Sequence, residues 1–413
     1  MQKFFGPDFF TRNRDALRAA VGDEVPIVIA GNGVMQRGGD EPSLFYQDSN
    51  FWYLTGLNAA DLTLAIIGNE TYVFVPSLST TRQAFDGAHD LVAYANLSGI
   101  TQFVSEREGW NLLRTALGQS HRVATLGSPP VYLKHYGIHS LPFRRRLIEK
   151  LKRAEPGVTI EDVRTQLAGL RVVKQPEELK ALQHAVDITT ETLQAVAGHD
   201  TLQTATNEYQ LEAAISYGFR FRGSEGHAFA PIVGAGKHAV TLHHMNNDGP
   251  IAPNDLIVLD VGASVSHYSA DVTRTVSKTP ISGRQAQVFR AVEAVQDYAL
   301  SLIKPGMIYR EYELAVEACM GEQLQKLGLI HEATHETIRH YYPHATSHFL
   351  GLDTHDVGDY REPMQPGTVI TCEPGIYIPE EGIGVRIEDD ILITEDGYKN
   401  LSAACPRRLT PVQ

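Results

Sequence analysis

Short apolar runs alternate with amphipathic stretches in the first part of the chain. VPIVIAG (25–31), LTLAIIG (62–68) and TYVFVPS (71–77) are rich in β-branched and aromatic residues between glycine and proline residues, so they predict strands. RDALRAAV (14–21) and EGWNLLRTALG (108–118) carry the apolar spacing of amphipathic helices. Such alternation is typical of an α/β domain.

The pattern changes at LRVVKQPEELKAL (170–182), where Pro176 followed by glutamates predicts a helix start. Beyond it we predict helices at 177–197 and 207–222, strands within 255–277, helices at 284–304 and 309–328, and strands within 368–394. Two helices followed by strands, then the same again, indicate a duplicated α+β domain with central strands. We therefore predict two domains, residues 1–172 and 173–413.

The charge balance excludes several classes of partner. Acidic residues number 49 against 36 basic ones, and the net charge of −13 argues against binding to nucleic acid or to anionic membranes. No apolar run reaches the roughly 18 residues of a membrane helix, and the first residues lack the pattern of a signal peptide. The 3 cysteines show no C-x-x-C spacing, so neither disulfides nor a zinc ribbon are expected. We expect a cytoplasmic protein.

Two aspartates interrupt the apolar pattern of segment 255–276. Asp260 ends the run LIVLD, and Asp271 follows a segment that contains glycine and serine. Adjacent antiparallel strands would bring both carboxylates to one point, and aspartate within an apolar strand is usually paired or bound to metal. The alternative is that both are ordinary strand-end or turn residues.

Further carboxylates lie near the C-terminus. Glu373 stands in the strand-like VITCEPGIYI, and GVRIEDDILIT (384–394) predicts a strand that places Arg386, Glu388 and Asp390 on one face. A solvated acidic turn is the alternative for the EDD stretch, but the strand-like ILIT that follows does not favour it.

Histidines cluster in PHATSHFLGLDTHDVGDY (343–360), which contains His344, His348 and His355. A single loop histidine is usually a bystander, whereas three among glycine and apolar residues are harder to attribute to chance. Another pair, His243 and His244, lies in AVTLHHMNND.

The candidate site is therefore rich in oxygen ligands. Four carboxylates and a histidine suit divalent ions such as Mn²⁺, Co²⁺ or Fe²⁺. Four carboxylates are more than one such ion needs, but they can bridge two ions about 3.5–4 Å apart that hold a bridging hydroxide. The expected reaction is metal-assisted hydrolysis of an amide or ester.

A competing motif is H-E-x-x-H at His331–His335, within HEATHETIRH (331–340). In zinc metallopeptidases two such histidines bind the metal and the glutamate activates water. The extended form of that motif needs a glycine and a third histidine where this chain has Ile338 and Tyr341. Completing a simpler site with Glu373 would leave the other candidate ligands unexplained. We expect a short polar helix or a loop here.

Several ordered motifs resemble one known family. They are D-V-G-x-x-x-x-x-Y-x-A-D-x-T-R-T (260–275), H-x-T-S-H-x-L-G-L-D-x-H-D (344–356), C-E-P-G-I-Y-I (372–378), G-V-R-I-E-D-D (384–390) and RGGDEPSLFYQDSNFWYLTG (37–56). The first four resemble the pita-bread metallopeptidases, most closely aminopeptidase P and prolidase, and the fifth resembles that family's N-terminal domain. The resemblance implies an α+β fold, with a C-terminal pita-bread domain of duplicated halves after a smaller α/β domain.

The resemblance also implies a metal site with five ligands. These are Asp260, Asp271, His348, Glu373 and Glu388. Two divalent ions, expected to be Mn²⁺, would bind there, with Asp260 mainly on one ion, His348 and Glu373 on the other, and Asp271 and Glu388 bridging both. Glu373 would in addition carry a proton from the attacking water to the leaving nitrogen.

Other residues match positions around the family's substrate. His243 and His355 would orient substrate and stabilise the tetrahedral intermediate, and His344 would line the proline pocket, with Tyr377 nearby. Arg386 would hold a metal-binding carboxylate in place.

The implied function is hydrolysis of the Xaa-Pro bond in peptides with proline in second position, releasing the N-terminal residue. Alternatives on the same fold are an Xaa-Pro dipeptidase (prolidase), a non-catalytic binding protein and a metal-free hydrolase, but the last two fit poorly because all five ligands are present. Analogy with the family suggests a homo-oligomer, a dimer or a tetramer.

Overall fold

A computed structural model describes residues 4–127, 129, 133 and 137–412. The chain divides into two compact units, Gln2–Leu170 and Arg171–Gln413. The division lies inside the helix Arg164–Val172, whose last residue is also the last residue of the predicted first domain. Within the described ranges, no helix is both long and apolar enough to cross a membrane.

The first unit is a layered α/β structure. Its helices are α1 Pro7–Val21, α2 Ser49–Thr55, α3 Thr80–Asp86, α4 Leu91–Ser98, α5 Glu106–Ser120, α6 Phe143–Ala154 and α7 Arg164–Val172. Its strands are β1 Ile27–Ala30, β2 Gln36–Gly38, β3 Glu41–Pro42, β4 Thr63–Ile67, β5 Glu70–Val75, β6 Gln102–Ser105, β7 Arg122–Thr125 and β8 Thr159–Asp162.

Six of these strands form one mixed sheet in the order β6-β5-β4-β1-β7-β8. β1 pairs antiparallel with β4 and parallel with β7, so the sheet combines a meander with parallel crossovers. Phe74 of the sheet packs with Leu113 and Leu117 of α5 in a closed apolar core. The predicted α/β character and the predicted strands and helices of this part are confirmed.

The second unit contains the remaining elements. Its helices are α8 Pro176–Val196, α9 His199–Thr204, α10 Glu208–Phe221, α11 Gly283–Leu302, α12 Tyr309–Lys326 and α13 His335–Tyr341, and a 3₁₀ turn spans Gly236–Val240. Its strands are β9 Gly226–His227, β10 Ile232–Ala235, β11 Ile257–Val261, β12 Ala263–Val265, β13 Tyr268–Ser269, β14 Val272–Val276, β15 Val369–Cys372, β16 Gly375–Ile378, β17 Ile383–Arg386, β18 Asp389–Ile393 and β19 Tyr398–Asn400.

Two similar halves make up this unit, as the sequence pattern predicts. In the first half α8 and α10 precede a sheet of order β10-β11-β14, and in the second half α11 and α12 precede a sheet of order β15-β18-β19. Apolar faces of α11 and α12 pack with β15 to β18 in one core that includes Phe289, Tyr312 and Ile387.

The expectation of one strand over 384–394 is wrong. β17 ends at Arg386 and pairs with β16, whereas β18 begins at Asp389 and pairs with β15. Ile387 and Glu388 lie between the two strands, and their backbone N–H groups donate to Pro374 and Thr273 instead of continuing one ladder. The apolar alternation continues through this break, so the sequence does not reveal it.

Arg274 of β14 ties this break to a distant segment. Its buried guanidinium donates to the Glu388 carbonyl (2.6 Å), the Asp389 carboxylate (2.7 Å) and the carbonyls of Cys405 (2.8 Å) and Pro406 (3.0 Å). A fully buried cation is tolerated only when its donors are satisfied, so these contacts set the position of the segment before β18.

The segment between β11 and β14, which contains β12 and β13, folds back on itself tightly at Gly262. A Cβ at this position would lie 1.7 Å from the carbonyl oxygen of Ala270. We expect Gly262→Ala to lower the free energy of unfolding by at least about 2 kcal/mol, because backbone atoms must move to relieve the clash. Chemical denaturation measures this, and Gly397→Ala is the control, since a Cβ there meets nothing within 4 Å. Equal stability of the two variants would contradict the expectation.

Candidate metal centre and active site

Antiparallel pairing of β11 with β14 brings three carboxylates together around Thr273. Asp260 is the register partner of Thr273, and Asp271 directly precedes β14. Glu388 accepts a hydrogen bond from the Thr273 hydroxyl at 2.5 Å, and its own N–H donates to the Thr273 carbonyl at 3.1 Å. The threonine thus holds Glu388 opposite the two aspartates.

A segment beside β15 contributes the imidazole and the fourth carboxylate. Thr371 donates its N–H to the carbonyl of His348 (2.9 Å), and Glu373 donates its N–H to the carbonyl of Thr346 (2.8 Å). This pairing leaves His348 Nε2 at 3.4 Å from Glu373 Oε1 and at 3.5 Å from Asp271 Oδ2. The two halves of the unit therefore meet at one cluster.

The donor set of this cluster fits divalent cations. One ligand atom each from Asp271, His348 and Glu388 lies within 4.8 Å of the others. Adding Glu373 beside His348, and Asp260 beside its partner Thr273, gives four carboxylates and one imidazole in a buried space. Oxygen-rich sets of this kind suit Mn²⁺ and similar ions.

The protein provides too little positive charge to balance the carboxylates of the cluster. Burial, and then the neighbouring carboxylates, raise the pKa of Asp271 and that of Glu388 well above their usual values. Burial raises the pKa of Glu373 to about 8, although Arg386 opposes this rise. Burial and then His355 lower the pKa of His348 to about 4. Bound cations reverse such shifts in the carboxylates, because they favour the ionised form.

A chain of hydrogen bonds runs outward from Asp260. Arg386 pairs with Asp260 Oδ2 and donates to the Tyr377 hydroxyl at 2.7 Å. The Tyr377 oxygen lies 2.8 Å from His344 Nε2, and His344 Nδ1 lies 2.8 Å from the carbonyl of Ala345. The carbonyl requires the proton on Nδ1, so Nε2 accepts from the tyrosine. Burial lowers the pKa of His344 to about 3, and the imidazole is therefore neutral.

His355 and His243 lie at the side of the cluster that faces solvent. The ring of His355 is 4.3 Å from that of His348, and His243 is exposed. Burial, and then the proximity of His243, lower the pKa of His355. His244 instead hydrogen-bonds to Glu208, away from these residues. The ten site residues that the resemblance to the family implies all lie in this region or directly beside it.

The H-E-x-x-H motif takes no part in the cluster. His331 and Glu332 precede α13, so the two histidines of the motif do not share a helix. His335 Nδ1 lies 2.8 Å from Glu317 Oε1, and its side chain is 76% exposed. The structure agrees with the expectation of a short polar helix and loop.

One buried ion-pair group beside the site is not predicted from the sequence. Asp356, next to His355, is buried with Arg171 Nη2 at 2.5 Å from Oδ1 and Lys174 Nζ at 2.9 Å from Oδ2. Arg171 also pairs with Asp353. The signal in the sequence is the pair of cations around Val172 and Val173, yet nothing local shows that both point to a carboxylate far along the chain.

We expect Asp356→Ala to lower the free energy of unfolding by about 3–5 kcal/mol, because it leaves Lys174 buried without its carboxylate and weakens the pairing of Arg171. Denaturant titration measures the change. The control is Asp359→Ala in the same loop, whose partner Arg361 is 89% exposed. A loss no larger than that of the control would contradict a stabilising role for the buried group.

The pH dependence of this contribution has a definite sign. Burial raises the pKa of Asp356, but Arg171 and Lys174 outweigh it and hold the pKa below its ordinary value of 3.8. A depressed folded-state pKa stabilises the protein above the unfolded-state pKa. The stability difference between Asp356→Ala and the unsubstituted protein is therefore full at neutral pH and is lost as the pH falls through the folded-state pKa.

Two family models match the chain. Metallopeptidase family M24 matches residues 180–395, and the aminopeptidase P N-terminal domain matches residues 10–124. Xaa-Pro aminopeptidase 3 of Mus musculus is 31% identical over 95% of this chain and 81% of the relative. Xaa-Pro aminopeptidase of Haemophilus influenzae is 30% identical over 89% of this chain and 88% of the relative.

Solved structures agree over nearly the full length. Aminopeptidase P from E. coli with the inhibitor Pro-Leu has a TM-score of 0.86 at 27% identity and covers 98% of this chain and 96% of its own. Aminopeptidase PepP of Pseudomonas aeruginosa has a TM-score of 0.86 at 26% identity, with the same coverage of 98% and 96%. The predicted fold, a pita-bread domain after a smaller α/β domain, is confirmed. The chain belongs to metallopeptidase family M24, among the aminopeptidases P.

Proposed function

We propose that this protein is a metal-dependent Xaa-Pro aminopeptidase that releases the N-terminal residue from peptides with proline in second position. The observation that carries the proposal is the convergence of one imidazole and four carboxylates in the M24 region of the chain. This chain covers most of the length of relatives named Xaa-Pro aminopeptidases, and this similarity supports the same bond specificity.

The proposal assigns the metal to five ligands. They are Asp260, Asp271, His348, Glu373 and Glu388. We assign two ions to them, with Mn²⁺ as the expected metal, because one imidazole and four carboxylates provide more ligand charge than a single ion needs. In this proposal Asp271 and Glu388 would bridge the two ions. Burial and then the neighbouring carboxylates raise the pKa of both groups, and bound cations would oppose that rise.

When bound, the ions would lower the pKa of water and polarise the scissile carbonyl. The remaining steps belong to side chains. Glu373 accepts a proton as the water oxygen bonds to the carbonyl carbon, and it returns that proton to the proline nitrogen as the C–N bond breaks. Thr371 keeps the carboxylate oriented for this, with its hydroxyl 3.1 Å from Glu373 Oε1.

Five further residues act on the substrate, on the ligands or on one another in this proposal. His355 and His243 stabilise the charge that develops on the carbonyl oxygen. His344 lines the proline pocket as a neutral imidazole, oriented by Tyr377. Arg386 fixes Asp260 and, through Tyr377, connects the ligand set to the pocket.

Proline explains the need for a dedicated site. The Xaa-Pro bond is a tertiary amide without an N–H, and the ring fixes the backbone dihedral. A peptidase that requires that N–H therefore handles the bond poorly. The cytoplasmic location and the homo-oligomeric state, a dimer or a tetramer, stay predictions.

Substitution of a proposed bridging ligand tests whether this cluster, and not the H-E-x-x-H motif, is the catalytic metal site. We expect Asp271→Ala and Glu388→Ala to lower kcat by at least about 10³-fold, because the transition-state charge loses its stabilisation, and to lower the bound Mn²⁺. Steady-state rates and elemental analysis of the dialysed proteins measure both. Glu332→Ala is the control, since Glu332 lies outside the cluster. Turnover close to that of the unsubstituted enzyme in either ligand variant, at unchanged metal content, would contradict the assignment.

A comparison of substrate lengths tests the function itself. Rates with added Mn²⁺ are measured on an Xaa-Pro dipeptide and on Xaa-Pro-Yaa tripeptides that share the first residue. We expect cleavage of the Xaa-Pro bond in the tripeptides and none in a matched Xaa-Ala-Yaa peptide. Cleavage of the dipeptide alone would identify a dipeptidase, and no hydrolysis of any of them would overturn the proposed activity.

A further inference from the structure

A second cluster of ligand-type side chains lies around Glu208, which opens α10 and is fully buried. Its Oε1 accepts from the N–H of Ala235 at 2.8 Å and lies 2.9 Å from His238 Nδ1. Its Oε2 accepts from the N–H of Gly249 at 2.7 Å and lies 2.8 Å from His244 Nε2. Two imidazoles therefore converge on one carboxylate that the backbone already holds.

The geometry of this cluster is compact. One ligand atom each from Glu208, His238 and His244 lies within 4.8 Å of the others, and the two imidazole rings are 4.2 Å apart. Burial raises the pKa of Glu208, but its hydrogen bonds outweigh burial and hold the pKa below the usual value. The carboxylate is therefore ionised and faces two neighbouring ring nitrogens.

We propose that Glu208, His238 and His244 bind a divalent cation, with Zn²⁺ as the preferred ion, at a site separate from the catalytic cluster. Two imidazoles and one carboxylate form a nitrogen-rich set, which favours Zn²⁺ over the harder ions suited to four carboxylates. Each imidazole presents a lone pair to the ion and carries its proton on the other ring nitrogen, so binding needs a change of tautomer.

Backbone groups next to the cluster hold the ligand side chains in place. The N–H groups of Ala235 and Gly249 stay on the carboxylate oxygens when an ion takes the place of the imidazole protons, and such support from outside the ligand set is typical of metal sites. A Cβ at Gly249 would lie 2.4 Å from His238 Nδ1, so the close approach of His238 requires glycine at this position.

The cluster is accessible from outside. His238 is 25% exposed, whereas His244 is 11% exposed. His238 lines a cleft of about 320 Å³ together with Pro250, Ile251 and Asp255. Three protein ligands leave a position for water, which the cleft can supply.

An ion here would act on the active site through the backbone. His244 directly follows His243, so fixing one imidazole restricts the segment that carries the other. The 3₁₀ turn Gly236–Val240, which contains His238, packs against β17, where a Cβ at Gly384 would lie 2.0 Å from the Ala239 carbonyl. The ion would thus stabilise the positions of His243 and β17 beside the proposed active site without contacting the substrate.

The test separates the two metal sites by substitution in the full-length chain. In an Asp271→Ala, Glu388→Ala background the protein is stripped with a chelator, and Zn²⁺ binding is measured by calorimetry and elemental analysis. We expect the stripped protein to bind about one equivalent of Zn²⁺, and we expect the additional substitution His238→Ala to weaken this binding by at least about tenfold. Adding His340→Ala is the matched control, because that histidine is exposed on α13.

A second set of measurements keeps the test valid if the His238→Ala variant folds poorly. Zn²⁺ should raise the Tm of the background protein and of the His340→Ala variant but not that of a His244→Phe variant. Co²⁺ substitution should give visible absorption bands that His238→Ala removes. The proposal is overturned if the background protein binds no Zn²⁺, or if the His238→Ala and His340→Ala variants bind it equally. None of these readouts depends on peptidase activity, so the outcome is independent of the proposed function.

Discussion

Mutual repulsion of buried carboxylates is the constraint around which the catalytic unit is built. Asp260, Asp271, Glu373 and Glu388 share a space from which water is largely excluded, and the protein supplies Arg386 as the cation that pairs with one of them. Burying unpaired charge is costly, so we expect bound cations to stabilise the fold. The threonines at 273 and 371 orient the carboxylates but add no charge. We therefore expect metal binding and stability to be linked in this unit.

The same constraint explains what could be predicted from the sequence. Asp260 and Asp271 stand out because an aspartate is rarely placed in an apolar strand, and antiparallel pairing is the simplest way to join them. The break between Arg386 and Asp389 does not stand out, because Ile387 continues the apolar alternation while its backbone leaves the ladder. The information that breaks the strand lies in Thr273 and Arg274, which are distant in the sequence.

Local motifs mislead for a related reason. H-E-x-x-H at 331–335 has suitable residue types, but a helix that begins at His335 cannot place His331 one turn away on the same face. Glu208, His238 and His244 have no recognisable spacing, yet the fold brings them to one point. The set of Asp356, Arg171 and Lys174 is similar, because each residue alone reads as an ordinary surface charge. Contacts between distant segments, which no short pattern encodes, decide the last two cases.

The guanidinium of Arg274 has a consequence for the order of events during synthesis. It donates to the carbonyl of Glu388, and two of its other acceptors are the carbonyls of Cys405 and Pro406. The ribosome makes those residues after every proposed metal ligand. A nascent chain can fold its N-terminal α/β unit early, but Arg274 lacks these two acceptors until the segment that contains them has been made. Metal loading is therefore expected to follow synthesis of the segment that contains Cys405 and Pro406.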